Sequence, residues 1–277
     1  MTAITRIECE FLGTGTSYGV PSVGCDCPVC SSSDPRNKRM RSSVYLRIGI
    51  GNREVAIVVD TTPDFRSQAL RAGIRKVDAV IFTHDHADHT HGIDDLRAFY
   101  WLNGRVDLPI FGYSECIASI QRRFRYIFDR EHDYAGVVRL APTIFEYPAF
   151  DVLGVRVVPI PLVHGAMRVA GVRIGDFAYL TDTNLIPPPS MELLRGVRLL
   201  VIDALRRTPH QTHLSLPEAL RMSSTLGVEQ AYFTHINHDL EHAAVSATLP
   251  PWAHLGYDTL RVGICDNVVQ LLGDRIS

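Results

Sequence analysis

The chain alternates short apolar runs with segments whose apolar residues recur at helical spacing. The apolar runs, bounded by turn residues, predict strands over residues 7–12, 44–48, 55–59, 77–82, 155–160, 169–174, 177–180, 199–202, 230–233, 260–264 and 268–272. Helical spacing predicts helices over residues 64–72, 93–103, 114–126, 217–225 and 240–249. Many strands with interspersed helices predict two sheets with helices packed on their outer faces.

Three local features add to this pattern. Ser215, two residues before a proline, is a typical start signal for the helix at 217–225. The proline run 187–189 predicts a rigid turn within the fold, because strand-like sequence continues after it. Residues 126–147 follow neither period, and the sequence leaves open whether they form a lid or an irregular insertion.

Metal-binding side chains crowd directly behind the predicted strand at 77–82. This strand leads into Thr-His-Asp-His-Ala-Asp-His, which contains His84, His86, Asp88 and His89. Residues two apart in an extended chain point to the same side, so His84 and His86 can bind one ion. Asp88 and His89 follow after a turn and can bind a neighbouring ion. Imidazole nitrogens and carboxylate oxygens suit Zn²⁺, Mn²⁺ or Fe.

Further ligand candidates follow later strands in the same way. His164, Asp182 and His235 each come just after a predicted strand, where a side chain can project into a shared mouth. The local cluster alone cannot fill two coordination shells, and these three residues would complete them. A single histidine after a strand is more often a hydrogen-bonded loop residue, but this recurrence favours a two-metal site.

A second metal-binding motif lies in a loop near residues 24–31. Cys25, Cys27 and Cys30 crowd into GCDCPVC, whereas the other three of the six Cys stand alone and are expected to be core residues. Three thiolates leave one tetrahedral position of a Zn²⁺ ion open, and His238 can fill it. Such a closed site would order the loop and do no chemistry. Unligated thiols and a redox pair are the alternatives.

Composition narrows the class of protein. The 277 residues are 46% hydrophobic and 21% charged, which suits one globular domain over residues 1–277. The formal net charge of -2 gives no broad attraction to nucleic acid or to an anionic membrane. The first residues lack the pattern of an export signal, and no apolar run is long enough to span a membrane. We therefore expect a cytoplasmic protein.

The motif THDHADH, followed by the three distant candidates, resembles the signature of the metallo-β-lactamase superfamily. The resemblance implies an α/β fold, a four-layer αββα sandwich, and two divalent ions, Mn²⁺ or Zn²⁺. The ligand scheme that it implies is His84, His86 and His164 for one metal, Asp88, His89 and His235 for the other, and Asp182 as the bridge. The β-lactamases themselves typically have Cys at the bridging position, so Asp182 resembles the phosphodiesterase, ribonuclease Z and glyoxalase II branches.

A narrower resemblance links the chain to the PhnP-type phosphodiesterases, which act on a phosphoribosyl cyclic phosphate. It rests on FLGTGTSYGVP, GCDCPVC, DTTPDFR, HGIDDLR and THLSLPEAL. It implies that the three Cys and His238 hold a structural zinc. It also implies hydrolysis of a small cyclic phosphate or nucleotide-like phosphodiester by a hydroxide that two metals activate. Asp88 would orient this hydroxide, and His213 would donate a proton or bind phosphate.

Several further residues that are not metal-ligand candidates are expected to act near the predicted site. Asp60 and Asp64 are expected to orient ligating imidazoles. His210 competes with His213 for the role of proton donor. Arg206 and Arg207 could contact a substrate phosphate, although a solvated surface is favoured.

Two other functions stay open at this point. A ribonuclease Z-like nuclease that processes tRNA 3′ ends would favour a basic arm, and the sequence contains none. A non-catalytic zinc-binding protein would use the metals for folding or partner binding only. We expect a small phosphodiester as the partner, with no membrane and no stable nucleic-acid complex, and the resemblance makes a homodimer plausible.

Overall fold

The computed structural model describes residues 3–129, 136–145 and 148–275, which form two mixed β-sheets with helices on their outer faces. The strands of the first sheet are β1 (Ile4–Gly13), β2 (Ser43–Ile50), β3 (Arg53–Val59), β4 (Ala79–Ile81), β5 (Leu108–Gly112), β6 (Leu140–Ile144), β14 (Arg261–Cys265) and β15 (Val268–Gly273). Those of the second are β7 (Phe150–Val152), β8 (Val155–His164), β9 (Met167–Ile174), β10 (Phe177–Leu180), β11 (Leu199–Asp203), β12 (Gln230–Thr234) and β13 (Ala253–Leu255). The α-helices are α1 (Phe65–Arg71), α2 (Ala87–Thr90), α3 (Arg97–Leu102), α4 (Ser114–Arg123), α5 (Arg125–Phe128), α6 (Pro188–Leu193), α7 (Leu216–Leu226) and α8 (His242–Ser246).

Each sheet has a parallel part that ends at the same edge of the molecule. The strand orders are β15-β14-β1-β2-β3-β4-β5-β6 and β13-β12-β11-β10-β9-β8-β7. In the first sheet β3, β4, β5 and β6 run parallel, and in the second β10, β11, β12 and β13 do so. The carboxyl ends of parallel strands lie side by side, so residues that follow these strands gather at one place.

Alternating side chains connect the layers into one stack. In β3, Ile57 packs between the two sheets, whereas Val58 packs under the helices that cover the first sheet. In β10, Tyr179 points between the sheets and Leu180 points toward the helices on the other side. This period of two produces helix, sheet, sheet and helix layers, which confirms the predicted four-layer sandwich.

Several elements differ from the sequence prediction. β5, β6, β7 and β13 are not among the predicted strands, because β5 and β6 each contain a proline and β7 and β13 have only three residues. The predicted helix over 114–126 divides at Phe124, whose φ of -109° and ψ of 40° are not helical. The proline run is not a plain turn, since Pro188 opens α6 at a position where its missing N–H costs nothing.

The stretch 126–147 is only partly described by the structure. Residues 130–135 and 146–147 lie outside the described residues, and the remainder includes the end of α5 and strand β6. The isolated cysteines Cys9 and Cys116 are buried as predicted, whereas Cys265 is half-buried. Within the described ranges, the helices are all too short or too polar to cross a bilayer.

Candidate dinuclear metal centre

The strand ends bring the predicted ligands to one edge shared by both sheets. From the first sheet, the turn after β4 carries His84 and His86, and Asp88 and His89 lie in the short helix α2 that begins after His86. The second sheet supplies the other three predicted ligands, at the end of β8 and just after β10 and β12: His164, Asp182 and His235. All seven side chains therefore meet in the structure.

Three imidazoles form the first ligand group. The ring centroids of His84, His86 and His164 lie 4.7, 5.3 and 5.7 Å apart, and one ring nitrogen of each lies within 4.8 Å of the others. Burial lowers the pKa of His84 well below its usual range and also lowers that of His164. These rings are therefore neutral, which is the form that a metal ion binds.

A mixed group of carboxylates and imidazoles lies beside it. The Nε2 atom of His89 is 3.2 Å from Oδ2 of Asp88 and 3.3 Å from Oδ1 of Asp182. Oδ2 of Asp182 lies 3.4 Å from Nε2 of His235 and 3.8 Å from Nε2 of His84. Because Asp182 approaches imidazoles of both groups, it occupies the position of a bridging ligand.

The donor atoms fit a pair of divalent cations. The Nε2 atoms of His84, His89 and His235 are buried and have no hydrogen-bond partner in the described part of the chain. Leaving a buried polar atom without a hydrogen bond costs about 1–3 kcal/mol. Three such nitrogen atoms close together therefore favour a site that binds metal ions. Metal–ligand bonds of about 2.1 Å at tetrahedral angles separate ligand atoms by about 3.4 Å, close to the distances between these donors.

Asp60 orients two of the imidazoles from behind. Its Oδ2 accepts from Nδ1 of His89 at 2.7 Å and from the hydroxyl of Thr83 at 2.8 Å. Since that hydroxyl donates to Asp60, it accepts from Nδ1 of His84 at 3.0 Å. One buried carboxylate therefore fixes the tautomer of both rings and directs their Nε2 atoms into the cluster. This position agrees with the role expected for Asp60.

Strained backbone presents three of these side chains. Asp60, Asp182 and His235 have φ of 66°, 52° and 56°, in the left-handed region that residues other than glycine rarely adopt. Each such residue costs about 1–2 kcal/mol relative to the right-handed conformation. Each lies just beyond a strand, and the hydrogen-bonded ladders on either side hold the sharp turn in place.

His213 forms one wall of the centre and is held by a residue that the sequence analysis missed. Its ring centroid lies 4.7 Å from that of His164 and 4.4 Å from that of His235. Its Nδ1 donates to Oδ2 of Asp203 at 2.8 Å, and the same oxygen accepts from the Thr183 N–H at 2.9 Å. Asp203 ends the apolar strand β11, which is the same signal that identified the ligand candidates.

The cysteine motif meets His238 as the spacing predicts. Nδ1 of His238 lies 3.4, 3.8 and 3.3 Å from the Sγ atoms of Cys25, Cys27 and Cys30. Zn–S bonds of about 2.3 Å and a Zn–N bond of about 2.0 Å at tetrahedral angles place S and N about 3.5 Å apart. The four side chains therefore fit one zinc ion, while zinc binding itself stays a prediction.

Two residues near the centre, Asp64 before α1 and His91 after α2, serve other purposes. Asp64 was expected to orient an imidazole, and this is wrong: it accepts from the backbone N–H and the guanidinium of Arg41, both at 3.0 Å. It lies at the start of α1 and faces the loop before β2. His91 is exposed, and its Nδ1 lies 3.0 Å from the carbonyl oxygen of Ala87, so it does not join the ligand groups.

Comparison with known proteins agrees with this fold and donor set. Residues 56–236 match the family model described as the beta-lactamase superfamily domain. The chain belongs to the metallo-β-lactamase superfamily. The fold and the clustered histidines and aspartates imply divalent metal ions.

Two relatives are similar along nearly the whole chain. A crystal structure described as a new diphosphatase from the PhnP family is 38% identical, with a TM-score of 0.87, over 98% of this chain and 100% of its own. This likeness places the chain in the PhnP family. An octanoyltransferase from Porphyromonas gingivalis is 37% identical over 96% of this chain and 53% of its own length. The chain thus spans about half the length of this curated relative.

A more distant structure shares the fold alone. Zn²⁺-bound PqqB from Methylobacterium extorquens is 18% identical, with a TM-score of 0.69, over 92% of this chain and 99% of its own.

Proposed function

We propose that this chain is a metal-dependent hydrolase that cleaves a P–O bond in a small phosphodiester. The observation that carries the proposal is the convergence of seven donor side chains from both sheets, with three buried imidazole nitrogens that make no hydrogen bond to the described residues. The proposed ligands are those of the sequence analysis: His84, His86 and His164, then Asp88, His89 and His235, with Asp182 between them. Cys25, Cys27, Cys30 and His238 are proposed to hold a structural zinc.

The protein side chains divide the work of such a reaction. Two divalent cations, when bound, would supply a water of lowered pKa and neutralise phosphoryl oxygens. Asp88, half-buried at the second ligand group, is proposed to orient that water. The pKa of Asp88 is depressed: its burial opposes this, but the neighbouring His89 and His235 outweigh burial, so it stays ionised.

His213 is proposed to protonate the leaving oxygen. Its Nδ1 is bonded to Asp203, and a ring nitrogen lies within 4.8 Å of donor atoms of His164 and Asp182. The Asp203 carboxylate holds the ring in one orientation. A positioned acid of this type contributes typically about 10²–10⁴-fold to the rate.

A second candidate reaction is cleavage of a diphosphate linkage, favoured because the 38% identical relative is described as a diphosphatase. The same groups serve both reactions, because each involves water attacking a phosphorus that carries two substituents. Octanoyl transfer is not proposed, since about half of that relative lies outside the match.

The test is turnover of bis-p-nitrophenyl phosphate by metal-free protein reloaded separately with Mn²⁺ and Zn²⁺. We expect metal-dependent release of p-nitrophenol that His84→Ala lowers at least about 10³-fold, because a ligand of the centre is lost. His91→Ala is the matched control: it removes an exposed imidazole of the same segment and should retain activity within about 2-fold. Full activity of His84→Ala would refute the proposal.

A further inference from the structure

The loop between β11 and α7 forms a fixed wall beside the proposed centre. At its two ends, the Leu205 N–H donates to the carbonyl of Leu214 at 2.9 Å and the Leu216 N–H donates to that of Arg206 at 2.8 Å. Near its middle, the Thr212 carbonyl accepts from Nδ1 of His164 at 2.7 Å. The loop is therefore closed at its base and bonded to a proposed metal ligand.

Arg206 presents a positive charge on this wall. Its side chain is half-buried, with Nε donating to the Thr208 carbonyl at 3.2 Å and Nη2 to the Pro209 carbonyl at 2.8 Å. These are carbonyl oxygens of its own loop and carry no full charge. Among the described residues no carboxylate lies within ion-pair distance of this guanidinium, so its charge is available to an anion.

His210 lies between this charge and His213. Its ring centroid is 5.4 Å from that of His213. Its Nδ1 accepts from the Thr212 backbone N–H at 3.3 Å, so the neutral ring carries its proton on the exposed Nε2. Arg206 reaches the same point of the loop, since its guanidinium binds the carbonyl of Pro209, the residue before His210. Burial lowers the pKa of His210, and the neighbouring His213 and Arg206 lower it further.

Tyr18, from the loop after β1, lies beside the proposed zinc site. Its ring is 45% exposed and lies 6.2 Å from the ring of His238 in an edge arrangement. Burial raises the pKa of the Tyr18 hydroxyl, Asp239 adds to the rise, and the charge of Arg206 opposes it. Tyr18 is therefore near enough to Arg206 for the positive charge to act on its hydroxyl.

We propose that Arg206 and His210 form a binding subsite for a phosphate group on the leaving side of the substrate, next to His213. This rests on the proposed hydrolase function and extends it to a substrate class: diphosphate diesters, from which a phosphate monoester departs. The subsite lies one side chain beyond the proposed proton donor, where the phosphate next to the attacked phosphorus would lie.

The reaction balances without any further reactant. The water oxygen forms a bond to the attacked phosphorus, and the bridging P–O bond breaks with its electron pair left on the departing oxygen. His213 gives that oxygen a proton, Asp88 orients the attacking water, and the proton lost by that water passes to solvent. The departing phosphate monoester is an anion, and Arg206 with the Nε2–H of His210 offsets its charge.

The test compares two substrates that share an adenylyl half and differ in their leaving group. Di(adenosine-5′) diphosphate releases AMP, whereas the p-nitrophenyl ester of AMP releases a phenol without phosphate. With Mn²⁺-loaded full chain, we expect Arg206→Ala to lower kcat/KM for the dinucleotide about 10- to 100-fold, and at least 10-fold more than for the ester. His210→Ala should shift the same ratio in the same direction by a smaller factor.

Three controls make the outcome decisive. Arg207→Ala removes the exposed neighbouring charge and should leave the ratio between the two substrates within about 2-fold. Arg206→Lys should restore part of the dinucleotide activity, and AMP should inhibit ester hydrolysis more weakly in Arg206→Ala than in the unmodified chain. Equal loss on both substrates, or hydrolysis of the ester with no activity on the dinucleotide, would overturn the subsite while leaving the hydrolase proposal standing. Hydrolysis of neither substrate would overturn both.

Discussion

At the scale of single residues, Asp60 and Asp64, which both lie between β3 and α1, have different roles. Asp60 leaves β3 with positive φ and turns its carboxylate toward His89 and Thr83. Asp64, four residues later, turns the other way and binds Arg41. Only the first can affect the metal ligands.

We expect Asp60→Asn to weaken binding of the second metal about 10- to 100-fold, because the amide no longer accepts from both His89 and Thr83 as a carboxylate does. A chelator-competition titration with Mn²⁺ or Zn²⁺ measures this. Asp64→Asn serves as the matched control and should leave the affinity unchanged, since its carboxylate binds Arg41 outside the centre. Equal weakening in the two variants would contradict the role assigned to Asp60.

The ligand candidates could be predicted because each follows an apolar run, a pattern that is local in sequence. The residues that hydrogen-bond to these ligand candidates could not be predicted in the same way. Thr83 and Thr212 act through a hydroxyl and a backbone carbonyl, which any sequence contains in abundance. Asp203 carried the same signal as the ligands, but its role depends on contact with His213, ten residues away across a loop.

At the scale of elements, helix α7 starts at a capping box that also ends the His213 loop. The Ser215 N–H donates to the Glu218 carboxylate at 2.8 Å, and the Ser215 side chain accepts from the backbone N–H of Glu218. The sequence predicted this start correctly because capping depends on residues within one turn. Strands such as β5 could not be predicted because their pairing depends on distant partners.

We expect Ser215→Ala to lower the free energy of unfolding by about 1 kcal/mol, because the backbone N–H of Glu218 loses the side-chain oxygen that accepts from it. Urea unfolding of the metal-loaded protein measures the change. Thr225→Ala, an exposed position in the last turn of the same helix, should change stability by less than about 0.5 kcal/mol. A Ser215→Ala protein as stable as this control would show that the cap contributes nothing.

At the scale of the whole molecule, the proposed zinc site connects the first loop to the loop that follows β12. His238 lies three residues after His235, and hydrogen bonds from Asn37 to Glu241 and from the His242 N–H to Asn37 support the same contact at 2.8 and 2.9 Å. The loop is therefore attached at two points, of which one depends on metal. That the chain forms a single domain or a homodimer stays a prediction.

We expect Cys27→Ser to remove about one zinc per chain and to lower the free energy of unfolding. Free zinc at about 100 times its Kd would stabilise the folded chain by about 2.7 kcal/mol, and the variant would lose this contribution. Elemental analysis and thermal unfolding measure the two effects. Cys265→Ser, which removes a half-buried thiol far from His238, should keep its zinc. Unchanged zinc content in Cys27→Ser would mean that these thiols bind no metal.

The division of the seven proposed ligands between two sheets has a consequence for how the protein is made. Four of them, between His84 and His89, come from the first sheet and precede the other three along the chain, and His235 is synthesised after the other six. A nascent chain on the ribosome could hold a cation only loosely with its early histidines. Secure capture of the pair must wait until both halves have left the exit tunnel and closed on each other, so cation uptake would report that assembly is complete.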